Sequence, residues 1–489
     1  MKRFAPTFES LSERQAPDWF RDAKFGIWSH WGPQSVPMFG DWYARKMYME
    51  GTPQYYYHLR HYGHPSKFGY KDICALWKAE KFDAEALMDL YYKAGARYFV
   101  AQATHHDHFF NYDSRINRFN SVKVGPGKDI CAMWKQAADK RGMPFGLSEH
   151  LAASFSWWGV NKGCDLTGPY KGVPYDGNDP AYRDFYWDNY EHATPKGQMP
   201  GPNNPWYSRN PQFEQYWLKA VQEMVDQFHP DLLYSDGALP FGGAEMPDGG
   251  QLQEIYGVGM EGVAYLYNDS IAQHGQNRAA YFQKDTRPAI SQVGLLDLER
   301  GQLSDISPQP WQTDTCIGNW YYNAQEPYKT PGHIIEMLVD IVSKNGTLLL
   351  NIVQRPDGSL DDEALYILRA LADWFAVCGE GVYNTRPWRV FGEGNTRAGA
   401  GDHNEEAVNW NSADFRFVQK DGKLYAFQMR APQNGVAVIK SLTGTDRVQK
   451  VELLGAGEVP FTQSYGVLTV RLPERLPTPY VNCLKITLA

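Results

Sequence analysis

No stretch of 18 apolar residues occurs anywhere in the chain, so a membrane-spanning helix is not expected, and the opening segment MKRFAPTFESLSERQAPDWF has no apolar signal-peptide core. The chain therefore reads as soluble: cytoplasmic, or periplasmic or secreted where a signal peptide is lacking from this sequence. Cysteine is sparse. Cys74, Cys131, Cys164, Cys316, Cys378 and Cys483 are scattered without CxxC spacing, which excludes a thiolate zinc site and a dense disulfide framework. An excess of positive charge is also missing: 48 Lys and Arg against 56 Asp and Glu leave a net charge of −8. That balance argues against nucleic acid or an anionic membrane as partner. There is no internal repeat.

What is abundant is aromatic side chains, 15% of the chain, with 16 Trp and 31 Tyr. Such rings stack on the apolar faces of sugars while their polar edges hydrogen-bond, although many simply fill a core. Short apolar runs alternate with amphipathic stretches, the pattern of βα units. Strands are predicted at residues 24–30, 97–104, 143–148, 231–235, 263–267, 289–293, 311–315 and 347–352. Phe213, Trp217, Val221, Met224, Val225 and Phe228 recur at helical spacing ahead of the 231–235 strand, and further helices are predicted over residues 82–94 and 130–140. The expected fold class is α/β, a (β/α)8-like, TIM-type barrel over residues 1–384. Beyond Trp388 the pattern turns to short alternating strands and tight turns, so residues 385–489 are expected to form an antiparallel β-sandwich.

His30, His105, His106, Glu149, His150, Asp236 and Asn268 fall at the C-terminal ends of predicted strands, where barrel enzymes assemble their sites. Residues 162–179 and 194–205 read as active-site loops. In DLLYSDGALP, Asp236 ends a buried strand and Gly237 lets backbone and substrate approach closely. Its other reading is a helix N-cap. The run His105, His106, Asp107, His108 contains metal-ligand types, but adjacent strand residues point to opposite faces, so it makes a poor metal site. No metal or cofactor is expected.

The segments WFRDAKFGIWSHWGPQSVP, DWYARKMY, HHDHFFNYDS, FGL, LLYSDG, PWQTDTCIG, NGTLLLNI and GEGVYNTRPW stand in order over residues 19–388. In these the chain resembles the α-L-fucosidases of glycoside hydrolase family 29. The resemblance implies a barrel followed by a β-sandwich, a retaining exo-α-L-fucosidase needing no metal, and a terminal α-L-fucosyl group on a fucosylated oligosaccharide or glycoconjugate as substrate. It implies Asp236 as nucleophile and His30, Trp42, His105 and His106 as sugar ligands, with Trp31 and Tyr234 beside the sugar. Asp41 stands where many relatives have glutamate. Ser148, Glu149 and His150 replace the family's tyrosine after the third strand, with Glu149 or His150 as substitutes for it. Trp311, Asp314 and Trp320 are expected to shape the leaving-group side.

Candidates for the acid/base are Glu254, Glu261, Asp297, Glu299 and Asp314, of which Glu299 in GLLDLERGQ is favoured. Arg300 beside it would hold a carboxylate ionised, so that role requires Arg300 to point elsewhere. A fucose-binding module without catalysis and an α-L-galactosidase are the alternatives. The oligomeric state, homo-oligomer included, is left open.

Overall fold

The computed structural model describes residues 3–190, 206–242, 257–286 and 291–489, together with the backbone of two short paired strands, Ala244–Glu245 and Gln253–Glu254. Eight parallel strands close into a barrel: β1 (Phe25–Ser29), β2 (Phe99–Gln102), β3 (Phe145–Glu149), β4 (Leu232–Ser235), β5 (Ala280–Gln283), β6 (Leu295–Glu299), β7 (Trp311–Cys316) and β8 (Gly346–Asn351). Each strand pairs with its neighbours in chain order, and β8 returns to β1. Parallel neighbours need crossovers, so both faces of such a strand are covered and its sequence runs apolar without alternation, as in FGIWS and GTLLLN.

The covering helices include α1 (Ala84–Lys93), α2 (Ile130–Asp139), α3 (Pro211–Phe228), α4 (Val258–His274), α5 (Pro331–Ser343) and α6 (Asp362–Cys378). In α3 the Asn210 side chain accepts from the N–H groups of Gln212 and Phe213, and Pro211 occupies the first turn where an N–H has no helical partner. The predicted stripe from Phe213 to Phe228 is its buried face, and left-handed His229, at φ 43°, ends the helix and turns the chain into β4. That exit aims Asp236 at the barrel mouth.

Two strand predictions need correction. Residues 263–267 lie inside α4, not in a strand. This helix packs on α3 with Gly262 against the Trp217 ring, and it is buried on so many sides that VAYLY reads as a continuous apolar run. Such a run cannot tell a buried helix from a strand. Asn268 consequently leaves the mouth and bonds the backbone of Phe4, at 2.8 and 2.9 Å. The fifth strand is the unpredicted AYFQ of β5. The predicted strand at 289–293 falls partly outside the described residues, and β6 begins just after it; the loop at 194–205 lies outside them altogether.

After α6 the chain builds an antiparallel sheet in the order Arg386–Glu393, Phe415–Lys420, Lys423–Gln428, Asn482–Leu488, Val448–Leu453, Gly457–Glu458, and a second of Val436–Ile439, Val467–Arg471 and Phe461–Ser464. Alternate residues such as Phe415, Phe417, Leu424 and Ala426 meet Ile439, Leu468 and Val470 in a core of their own. Asp340 of α5, buried between Lys344 and Arg416, ties this region to the barrel.

Candidate active site

A cavity of about 300 Å³ opens at the C-terminal ends of the strands, floored by Trp28 of β1. One wall is histidine. His30 follows β1; its N–H donates to Asn351 Oδ1 at 2.9 Å, and neither ring nitrogen has a hydrogen-bond partner among the described residues. Burial holds its pKa well below the usual histidine range, so the ring is a neutral donor and acceptor. His105 Nδ1 lies 2.8 Å from the amide of Gln34, and its Nε2 lies 3.9 Å from Asp41 Oδ1. Burial lowers the His150 pKa to about 3, and its Nδ1 likewise has no partner among the described residues. His106 turns Nδ1 to the His150 carbonyl, 2.8 Å, and Nε2 to Asp236 Oδ2, 3.3 Å. Asp41 has its pKa raised to about 7 by burial. Trp42, in a left-handed conformation at φ 60°, stacks on Trp206 with ring centroids 5.7 Å apart.

The facing wall is made of carboxyl groups around one ammonium. Lys284, directly after β5, places Nζ 3.1 Å from Glu299 Oε2, 3.2 Å from Asp314 Oδ1, 3.4 Å from Asp297 Oδ2 and 4.0 Å from Asp236 Oδ1. Burial alone would strip its charge, but Asp314, Glu299, Asp297 and Asp236 hold its pKa well above the usual lysine range. Burial likewise opposes ionisation of Asp236; the His106 hydrogen bond and the Lys284 ammonium outweigh it and keep the carboxylate well below its usual range. The Tyr234 hydroxyl sits 3.0 Å from Asp236 Oδ1 and 3.1 Å from Asp314 Oδ2. A phenol has one proton to donate, so satisfying both contacts requires a proton on one of the two carboxyls. Of the two, Asp314 is the one whose pKa is pushed well up, by burial and then by Asp297.

Glu299, at the end of β6, accepts from Trp320 Nε1 and Lys284 Nζ, each at 3.1 Å. Arg300 turns away, its Nε 2.6 Å from Glu405 Oε1. Arg300 thus does not pair with Glu299, whose charged partner is Lys284 instead.

His30, Asp41, Trp42, His105, His106, His150, Tyr234, Asp236 and Glu299 thus line one cavity, with Asp314 and Trp320. Three expected ligands do not. Trp31 points into the core, stacked edge-on to Trp77 and bonded through Nε1 to the Arg355 carbonyl. Glu149 is wholly buried behind the wall, where Oε2 accepts from Trp217 Nε1 and the Leu151 N–H, both at 3.0 Å. Trp311 begins β7, so it sits at the opposite end of the barrel and bonds the Lys344 carbonyl at 3.0 Å. Among the other acid candidates, Glu261 is exposed on α4, Asp297 is buried behind Asp314, and the Glu254 side chain lies outside the described residues.

Lys284 and His403 were not anticipated. The only signal for Lys284 is its place after AYFQ, a strand the periodicity did not separate from its surroundings. The His105–His108 run does not converge: His108 is taken up by the Phe185 carbonyl and Tyr216 hydroxyl, at 2.9 and 2.8 Å. His30, His105 and His150 do converge, with ligand-capable atoms within 4.8 Å of one another, and three imidazoles are a ligand set able to hold an ion. No helix of the described residues is long and apolar enough to cross a membrane.

Residues 1–380 match the family model described as alpha-L-fucosidase, and residues 409–487 match that of the alpha-L-fucosidase C-terminal domain. The tissue alpha-L-fucosidase of Mus musculus is 28% identical over 508 residues, spanning 99% of this chain and 95% of that protein. The human plasma alpha-L-fucosidase is 28% identical over 403 residues, spanning 79% of this chain and 73% of its own. The crystal structure of Thermotoga maritima alpha-fucosidase in complex with fucose has the same fold, with a TM-score of 0.74 at 24% identity over 99% of this chain and 100% of the other.

Proposed function

The chain belongs to the α-L-fucosidase family and is a glycoside hydrolase, and from that premise we propose that it releases terminal α-L-fucosyl groups from fucosylated glycans by retaining double displacement. The observation that carries the reading is the pair Asp236 and Glu299, which face one cavity and share one ammonium at 4.0 and 3.1 Å. Retaining enzymes need two carboxyl groups about 5–5.5 Å apart, one for covalent attack and one for proton transfer.

Asp236 is the nucleophile. Held ionised by the His106 hydrogen bond and the Lys284 ammonium and fixed in direction by the Tyr234 hydroxyl, it attacks the anomeric carbon as the glycosidic C–O bond breaks. Glu299 gives its proton to the departing oxygen, then takes one from the water that cleaves the ester and frees Asp236. Of the carboxyls around this ammonium, burial pushes Asp297 and Asp314 up, so these are the members of the wall most ready to keep a proton. The neutral rings of His30 and His150 offer the sugar hydroxyls both donors and acceptors at no cost in charge burial.

The test is hydrolysis of a 4-nitrophenyl α-L-fucoside beside the β-D-galactoside and α-L-galactoside, by the wild type and by Asp236→Ala. The fucoside is cleaved with α-L-fucose as first product by NMR, and the variant folds but loses about 10³-fold or more of kcat, since the covalent route is gone. Azide restores part of its turnover. A near-wild-type kcat in the variant sinks the nucleophile assignment, and β-L-fucose as first product sinks retention.

A further inference from the structure

Residues 394–414 join the first two sandwich strands, whereas the next pair is joined by Asp421 and Gly422 alone. The long connection leaves the sandwich and lies across the barrel mouth. Gly401 donates its N–H to the Gln302 carbonyl at 2.8 Å, His403 to that of Glu299 at 2.8 Å, and Asn404 to that of Arg300 at 2.9 Å. A side chain at Gly301 would overlap the Gly401 carbonyl, so glycine there permits the close approach. Glu405 locks the crossing through Arg300 and Lys329, at 2.6 and 2.8 Å.

This strap delivers one side chain to the cavity. His403, left-handed at φ 52°, lines the rim with its side chain 64% exposed and Nε2 4.0 Å from Glu299 Oε2. That distance is too long for a hydrogen bond, so Glu299 leaves the nitrogen available to another partner. The fucosyl ring is taken to fill the inner cavity between histidines and Asp236; the oxygen that Glu299 protonates then carries the rest of the glycan outward past Glu299, where His403 stands.

We infer that His403 is a specificity-determining residue of the leaving-group side, binding a hydroxyl of the sugar to which the terminal residue is joined. This rests on the proposed fucosidase reading. The imidazole supplies either a donor or an acceptor to a hydroxyl. An aryl leaving group has no hydroxyl there to bind. The contribution of the C-terminal region is thus to the choice of linkage rather than to the chemistry.

The measurement is the ratio of kcat/KM for the fucosyl disaccharide the enzyme cleaves best to that for 4-nitrophenyl α-L-fucoside, in wild type, His403→Ala and His403→Gln. The alanine variant lowers the ratio about five- to tenfold, the size of one hydrogen bond to a neutral hydroxyl. Glutamine, which keeps a donor and an acceptor, recovers part of it. Thermal unfolding stays at the wild-type Tm because the strap is pinned through the backbone and Glu405. An unchanged ratio, or an equal fall on both substrates, overturns the inference, the latter placing the effect on Glu299. A wild type inert on the aryl fucoside instead sinks the fucosidase reading itself.

Discussion

His30 and His150, on the wall supplied by β1 to β3, carry neutral rings with nitrogens that have no partner among the described residues, whereas Asp236, Asp297, Glu299 and Asp314, from β4 to β7, crowd around the ammonium of Lys284. The difference is one of coupling. Each histidine offers one or two hydrogen bonds and answers for them alone. Each carboxyl sets the charge of its neighbours, because all of them are balanced by the same buried cation. Losing a histidine should therefore cost one contact, and losing a member of the charged wall should disturb the rest.

After the nucleophile itself, the largest effect should come from Glu299. Glu299→Ala should slow substrates with poor leaving groups about 10²- to 10⁴-fold, the worth of a general acid, while activated aryl fucosides keep much of their first step and accumulate fucosyl-enzyme. Pre-steady-state bursts and intact-protein mass spectrometry would detect this. Equal losses on both substrate classes, without accumulation, would move the role to another carboxyl.

Lys284→Met tests the coupling directly. Taking away the shared partner of a buried ionic cluster should lower unfolding stability by about 3–5 kcal/mol near neutral pH. The sign of the pH dependence follows from the carboxyls left behind. Without the ammonium the folded pKa values of Asp297 and Asp314, already raised by burial, climb further above the unfolded ones. Their contribution is full below the usual carboxyl range and is lost as pH rises through the folded values. Denaturant unfolding at about pH 5 and about pH 8 should show the variant nearer to wild type at the lower pH. A deficit that widens on acidification would contradict a charge-balance role.

The smallest effect belongs to the histidine wall. His30→Ala should lower kcat/KM about tenfold, the scale of one or two hydrogen bonds to neutral groups, with no change in Tm beyond a degree or so. Activity should also survive prolonged chelation. Since His30, His105 and His150 could hold an ion, the sharp contrary result is stoichiometric metal in purified protein, lost together with activity and restored with it.

The two walls also differ in how far they could be read from residues in order. His30 ends KFGIWSH, His105 and His106 follow RYFVAQAT, and Asp236 follows DLLYS; each is a local strand followed at once by a polar side chain, and backbone direction alone carries it to the mouth. The recurrence of such runs, six of which are barrel strands, and the change to two-residue alternation after Trp388 likewise pointed to the fold class, because burial on both faces or on one leaves its mark on consecutive residues. Tertiary structure decided what depends on partners distant in the chain. It made VAYLY a helix by packing it on α3 and brought Lys284 among acids from three other strands. It put Trp311 at the wrong end of its strand for a ligand, and it drew Arg300 away from Glu299 by offering it Glu405, a residue 105 positions later. Propensity and periodicity act over a few residues, but charge balance and close packing are settled only when the barrel and its strap have closed around the site.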